Sequence, residues 1–277
     1  MSQPLKPVDY SAYLAQPNEP ELELLRLFHP AQALTILDIG ACEGEDSVRY
    51  ARRFPQARVF AFEPLPANQA LVSDNFSRHG VANAELVPLA LSDRAGDATF
   101  HVSSGRPRDE FAGKDWNYGN KSSSLLPPAS DKAMYGWIEF KEAITVRTET
   151  LDRFCATHSI AGIDYIHMDV QGAEHLVLGG ATQMLPKITA LWLEVSDQRL
   201  YDGQVLRSEM EAFMRAHGFA LGFEVRREIE GDQFYVNTRH ARTWRYLAGR
   251  RAFAFAGLMR RLAGRVKRIL FAQPHSP

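Results

Sequence analysis

The chain has 277 residues, 45% of them hydrophobic and 23% charged, with a formal net charge of −1. Those proportions fit a globular protein with a sizeable core and exclude a low-complexity or collagen-like chain. Two cysteines, Cys42 and Cys155, are too few for a disulfide framework, the N-terminus lacks a basic stretch followed by an apolar core, and no apolar run approaches the ~20 residues that span a bilayer. A reducing, cytoplasmic setting is therefore expected. The charge is segregated: nine of the 32 Lys/Arg and none of the 33 Asp/Glu lie in 241–277, so the body is net −10 and the tail net +9.

In chain order, 1–33 reads as a Pro-rich segment with one short helix over 21–28. From Leu34 the pattern is regular. "LTILDIG" predicts a strand buried on both faces, "DSVRYARRF" a helix, "ARVFAFEP" a second strand and "PANQALVSDNFSRHG" a helix stopped by Gly80. "AELVPLALSD" predicts a third strand. This alternation implies right-handed βαβ crossovers and a mostly parallel sheet with helices on both faces. Residues 97–150 interrupt it with two antiparallel strands, "ATFHV" and "AITVRTETL", around a long lid-like loop. The rhythm returns with a helix at "LDRFCATHSI", a strand at "DYIHMDV", a helix at "AEHLVLGGATQML", a strand at "ITALWLEVS" and a helix at "VLRSEMEAFMRAHGF". Strands at "ALGFEV" and "DQFYVNT" complete a domain expected over 34–240, and 241–277 forms a separate tail.

The first strand runs into "ILDIGACEGEDS". Gly40 and Gly44 follow the strand end, where an open parallel sheet binds its ligand, and the next helix offers free N–H groups. A dinucleotide turn would read G-x-G-x-x-G, but its second and third glycine positions hold Cys42 and Glu45. Asp38, Glu43, Glu45 and Asp46 add negative charge that would repel a pyrophosphate but suit a ligand carrying ammonium and sulfonium groups. S-adenosylmethionine fits better than NAD. Glu63, ending the second strand before Pro64, is placed to accept both hydroxyls of a ribose.

"ILDIGACEGEDS", "VFAFEPLPANQALVSDNF", "LALSDRAGDATF", "TETLDRF" and "DYIHMDVQGAEHLVLGGA" together resemble the FkbM-type methyltransferases over roughly 34–195. The resemblance implies a Rossmann-like class I methyltransferase fold with a seven-stranded sheet, S-adenosylmethionine as donor, and O-methylation of a sugar, glycan or related natural product. Cofactor contacts would then fall on Asp38, Gly40, Ala41, Gly44, Asp46, Ser47, Glu63, Pro64 and Asp169, with Ser92 and Asp93 near the adenine. Many relatives carry Lys where His167 stands, so a role for that lysine does not transfer.

Methyl transfer needs an aligned acceptor oxygen and a destination for its proton. Strand alternation predicts that His167 and Asp169 share a face, with Asp169 nearer the carboxyl edge as the first choice of base. Glu174 and His175 follow as assisting groups. Each has a structural reading beside the catalytic one: His167 as a hydrogen-bonded core histidine, Asp169 as a helix cap, Glu174 as a complement to its helix N-terminus. Glu194 ends the neighbouring strand, and Asp169 with Glu194 is a candidate pair for a divalent ion. Trp116, Tyr118, Tyr135 and Trp137 in the lid loop stack either on the acceptor or on one another.

In the tail, 243–271 places Trp244, Leu247, Phe255, Leu258, Met259, Leu262, Val266 and Ile269 on one helical face, with basic residues off it. That pattern suits an anionic membrane surface, and peripheral association at the inner face is the corresponding expectation. Packing on the body or on a second copy is the alternative. No nucleic-acid module is present, and none is expected as partner. Against the enzyme stands a non-catalytic scaffold that retains the fold.

Overall fold

The computed structural model describes residue 5, residues 7–107, 117–129 and 136–250, and residue 252. Two helices, α1 (Ser11–Ala15) and α2 (Glu19–Leu27), precede the sheet. Then β1 (Thr35–Ile39), α3 (Glu45–Arg53), β2 (Arg58–Phe62), α4 (Pro66–Arg78) and β3 (Ala84–Val87) alternate. After an interruption come α5 (Leu151–Thr157), β7 (Ile163–Met168), α6 (Glu174–Gly179), β8 (Ile188–Ser196), α7 (Arg207–Ala216), β9 (Phe219–Arg226) and β10 (Glu230–Asn237).

Seven of these strands form one sheet in the order β3-β2-β1-β7-β8-β10-β9. All neighbours are parallel except β10, which runs antiparallel to both β8 and β9. This is the class I methyltransferase topology, and its switch point lies between β1 and β7. Strand alternation builds a core on each face. Leu37, Ile39, Phe60, Phe62, Ile166 and Met168 point to a cluster closed by Leu151 and Phe154 of α5, Val177 of α6 and Met210 of α7. Ile36, Val59, Tyr165 and Trp192 point the other way, against Leu24 of α2 and Tyr50 of α3.

Two expected elements come out differently. "AELVPLALSD" is not one strand: β3 ends at Val87, and β4 (Ala90–Leu91) belongs to a second, three-stranded sheet. Pro88 between them has no N–H to continue the ladder. The helix at "AEHLVLGGATQML" stops at Gly179. A Cβ on Gly180 would lie 2.1 Å from Ser92 O, so this backbone is pressed against the loop after β4.

The second sheet pairs β4 with β6 (Glu139–Glu149), and β6 antiparallel with β5 (Gly96–Ser104). It forms the base of the insertion. Of the expected lid aromatics, Trp116 and Tyr135 lie outside the described residues. So does most of the tail's amphipathic face.

The described start of the tail is helical over 241–250. Its Tyr246 and Leu247 are buried in the second core cluster. The Tyr246 hydroxyl donates to Glu23, and the Arg250 guanidinium lies over the Phe223 ring. Here packing on the body is what the structure shows, while Trp244 remains 56% exposed.

Candidate active site at the carboxyl edge of the sheet

A pocket opens at the ends of β1, β2 and β7. Its walls include Gly40 and Cys42 from the turn after β1, Glu63 and Pro64 after β2, Leu89–Leu91, and Asp169–Gln171 after β7. Asn120, Lys121 and Ser123 from the insertion close it.

Gly40 is required twice. Its φ is +86°, and a Cβ would meet Asp169 O at 1.9 Å. Only glycine lets the turns after β1 and β7 touch. Cys42 also adopts a positive φ, 52°, which aims its N–H at Glu63 Oε2, 2.9 Å away. Leu65 N–H donates to Glu63 Oε1 at 2.8 Å. Glu63 is 4% exposed. Burial pushes its carboxyl up to about 7 against the lowering effect of the Leu65, Asn68 and Cys42 bonds.

The other acids of the turn do not face the pocket, which corrects the electrostatic reason for preferring a cationic ligand. Glu43 is fully buried and accepts from Tyr10 Oη (2.8 Å), Asn117 Nδ2 (3.1 Å) and Asn120 Nδ2 (3.2 Å). Glu45 takes Lys121 Nζ at 3.0 Å. Asp46 accepts from Tyr13, Asn18 and Arg49. These carboxylates fasten the N-terminal helices and the insertion to the glycine turn. They are offset by partners within the chain.

Asp38 and His167 also lie behind the turn. They face each other in the β1–β7 register, and His167 Nδ1 is 2.9 Å from Asp38 Oδ1. Ser47 Oγ donates to the other Asp38 oxygen. Burial pulls the His167 imidazole down, but the Asp38 bond and charge outweigh it and raise the group to about 9. His167 is thus half of an ion pair under the Tyr50 ring. β7 ends at Met168, and Asp169 just beyond it still donates its N–H to Ile39 O; Asp169 lines the pocket and His167 does not.

Asp169 lines the pocket beside Gln171. The Gln171 side chain sits between two carboxylates, Nε2 donating to Asp169 Oδ1 at 2.7 Å and to Glu194 Oε2 at 3.0 Å. Its Oε1 is 3.0 Å from the Tyr201 hydroxyl. Gln171 holds a φ of 55°, a conformation that costs of order 1–3 kcal/mol and is found at functional sites. The amide occupies the place between Asp169 and Glu194 that a shared ion would take. Among the described residues no group of three or more His, Cys, Asp or Glu is arranged to hold a metal. Burial, then the Asp169 charge, raises the Glu194 carboxyl well above the usual range.

Glu174 does not line the pocket. Its Oε1 accepts from the N–H groups of Val170 (3.1 Å) and Gly172 (3.3 Å), so it holds the 169–172 loop in shape. Burial raises it to about 7. His175, held below its ordinary range by burial, is also outside the pocket wall. So are Ala41, Gly44, Ser92 and Asp93. Gly44 caps α3 with φ +79°, and Ser92 packs under Gly180. Leu89–Leu91 line the wall in their place.

Sequence reasoning missed Asn68, Asn120, Lys121, Ser123 and Gln171. Only Gln171 carried a local signal, inside "DVQGAE"; the others come from α4 and the insertion. The described aromatics Tyr118 and Trp137 contact each other edge-on, with ring centroids 6.2 Å apart, and neither lines the pocket.

A family model described as the methyltransferase FkbM domain matches residues 38–221, more than half of the chain. The chain is 36% identical over 205 residues to the 2-O-methyltransferase NoeI of Sinorhizobium fredii, covering 74% of this chain and 79% of that protein. It is 28% identical over 199 residues to the 31-O-demethyl-FK506 methyltransferase FkbM of Streptomyces tacrolimicus, covering 67% and 72%. A match at 29% identity to the AMB antimetabolite synthetase AmbE of Pseudomonas aeruginosa covers 80% of this chain but 12% of that protein.

Proposed function

The chain belongs to the FkbM methyltransferase family and is an S-adenosylmethionine-dependent O-methyltransferase; on that premise we propose that its acceptor is a hydroxyl of a sugar, a glycan or a related natural product. The observation that carries the cofactor reading is Glu63. Each of its oxygens takes one backbone N–H, the Asn68 amide adds a further bond, and the carboxylate so held lines the pocket. A ribose diol offers two donors at that spacing. Gly40 leaves room for close approach to the turn, and Leu89–Leu91 offer an apolar wall for a purine.

When bound, S-adenosylmethionine supplies a methyl carbon that leaves its sulfonium, with the C–S electron pair returning to sulfur, as the acceptor oxygen attacks in line. Asp169 receives the acceptor's proton. Gln171 ties down Asp169 Oδ1, which fixes the rotamer and leaves Oδ2 for the hydroxyl. Glu174 fastens the loop that carries both. The pocket's closure by the insertion limits water, so proton transfer to a weak base is not levelled by solvent. His167 and Asp38 take no part in that transfer and support the turn.

The basic stretch 243–271 is proposed to hold the enzyme against an anionic membrane surface; of its described residues Trp244 is exposed for that role, while Tyr246 and Leu247 pack on the body. That setting suits a glycan acceptor assembled at a membrane. Calorimetric titration with S-adenosylhomocysteine, with NAD in parallel, tests the cofactor reading. Binding of the first alone supports it. Binding of NAD alone refutes it, and binding of neither refutes it and favours a scaffold that has lost the reaction.

A further inference from the structure

We propose that Asn120, on the inserted segment, is a cofactor-binding residue whose side-chain oxygen accepts a hydrogen bond from the α-ammonium of the methionine arm. The assignment rests on the S-adenosylmethionine reading above. Asn120 is 5% exposed and lines the pocket. Its Nδ2 is 2.8 Å from Asn68 Oδ1 and 3.2 Å from Glu43 Oε1. Both are acceptors, so the amide cannot be turned over, and the oxygen must be the atom on the other side. That Oδ1 is buried and has no hydrogen-bond partner among the described residues. A buried amide oxygen without a donor is costly, of order 1–3 kcal/mol, and is found where a ligand completes the site.

Location selects the donor. The strand order sets Leu89–Leu91, Glu63, the glycine turn and Asp169 side by side along the sheet edge. With the diol on Glu63 at β2, the purine extends toward Leu89–Leu91 beyond β3, and the amino-acid arm extends toward β1 and β7. Asn120 is on the second side, its Nδ2 3.7 Å from Cys42 Sγ of the glycine turn. The donor that S-adenosylmethionine brings to that side is its ammonium. The insertion therefore serves the cofactor as well as the acceptor, and it can do so because Glu43 fastens it to the same turn.

The experiment compares S-adenosylhomocysteine with its deaminated counterpart, in which hydrogen replaces the ammonium, by calorimetry on the wild type and on Asn120→Ala. The wild type is expected to bind the deaminated ligand roughly tenfold more weakly, and the Ala variant to lose most of that preference. A wild type without preference overturns the assignment, and so does a variant that keeps the full preference. Asn120→Ser repeats the comparison should the Ala protein fail to fold. Glu43→Gln, which loosens the insertion but spares Oδ1, should keep the wild-type preference; if it loses as much as Asn120→Ala, the effect belongs to the fastening and the assignment falls. A wild type that binds neither ligand refutes the cofactor reading itself.

Discussion

Glu63→Gln separates a ribose ligand from an ordinary buried carboxylate. The two N–H groups at 2.9 and 2.8 Å already use one lone pair on each oxygen. A glutamine keeps one oxygen, and its NH2 must face either Cys42 N–H or Leu65 N–H, donor against donor. The unpaired N–H costs about 1–3 kcal/mol in the free and bound protein alike, so it lowers stability and not affinity. The lost charge-assisted bond to one ribose hydroxyl costs about 1.5–3 kcal/mol in the complex alone, or roughly 10- to 100-fold in Kd. A second signature is pH. Burial holds the wild-type carboxyl up to about 7, and only the ionised form accepts both hydroxyls. Wild-type affinity for S-adenosylhomocysteine should therefore fall about tenfold from pH 8 to pH 6, while Glu63→Gln stays flat. Calorimetry at both pH values reads both effects. A variant that binds as tightly as wild type at pH 8, or that keeps the wild-type pH slope, refutes the ribose assignment.

Asp169→Asn should retain S-adenosylhomocysteine affinity and lower the methylation rate by about 10²–10⁴, the usual contribution of a general base; turnover at the wild-type rate removes Asp169 from the chemistry. The His167–Asp38 pair predicts a pH-dependent stability. With the imidazole raised to about 9 when folded, the native state binds more protons than the unfolded state between roughly pH 6.5 and 9. The unfolding free energy should thus decline as pH rises through that window. Urea midpoints at pH 7.5 and 9.5 measure this, and His167→Leu should abolish the slope and cost about 3–5 kcal/mol by stranding Asp38. Removal of 251–277 should end sedimentation with anionic liposomes. Removal of 241–277 should lower the thermal midpoint, because Tyr246 and Leu247 are core side chains worth about 1.5–3 kcal/mol each. Retained sedimentation after the shorter deletion refutes the membrane role of the tail.

The sequence by itself determined the sheet. Runs such as Thr35–Ile39, Arg58–Phe62 and Ile163–Met168 are apolar on both faces, and that pattern suits only strands covered on both sides. Gly40 and Glu63 were legible because their roles come from local geometry at strand ends: a positive φ, a close backbone approach, a carboxylate just past the last paired residue. Tertiary structure decided which acids reach the pocket. Asp38, Glu43, Glu45 and Asp46 are indistinguishable in order from ligand contacts, and only distant partners show that each is engaged within the chain: His167, Tyr10 and Asn120, Lys121, and Tyr13. Tertiary structure likewise placed Asp169 in the pocket wall and paired His167 with Asp38 behind the turn, which strand alternation does not reveal. Asn120 and Gln171 depend on contacts across 77 and 23 residues, to Glu43 and Glu194. A hydrogen bond depends on where two groups meet in space, and one-dimensional spacing carries that information only within an element of known period.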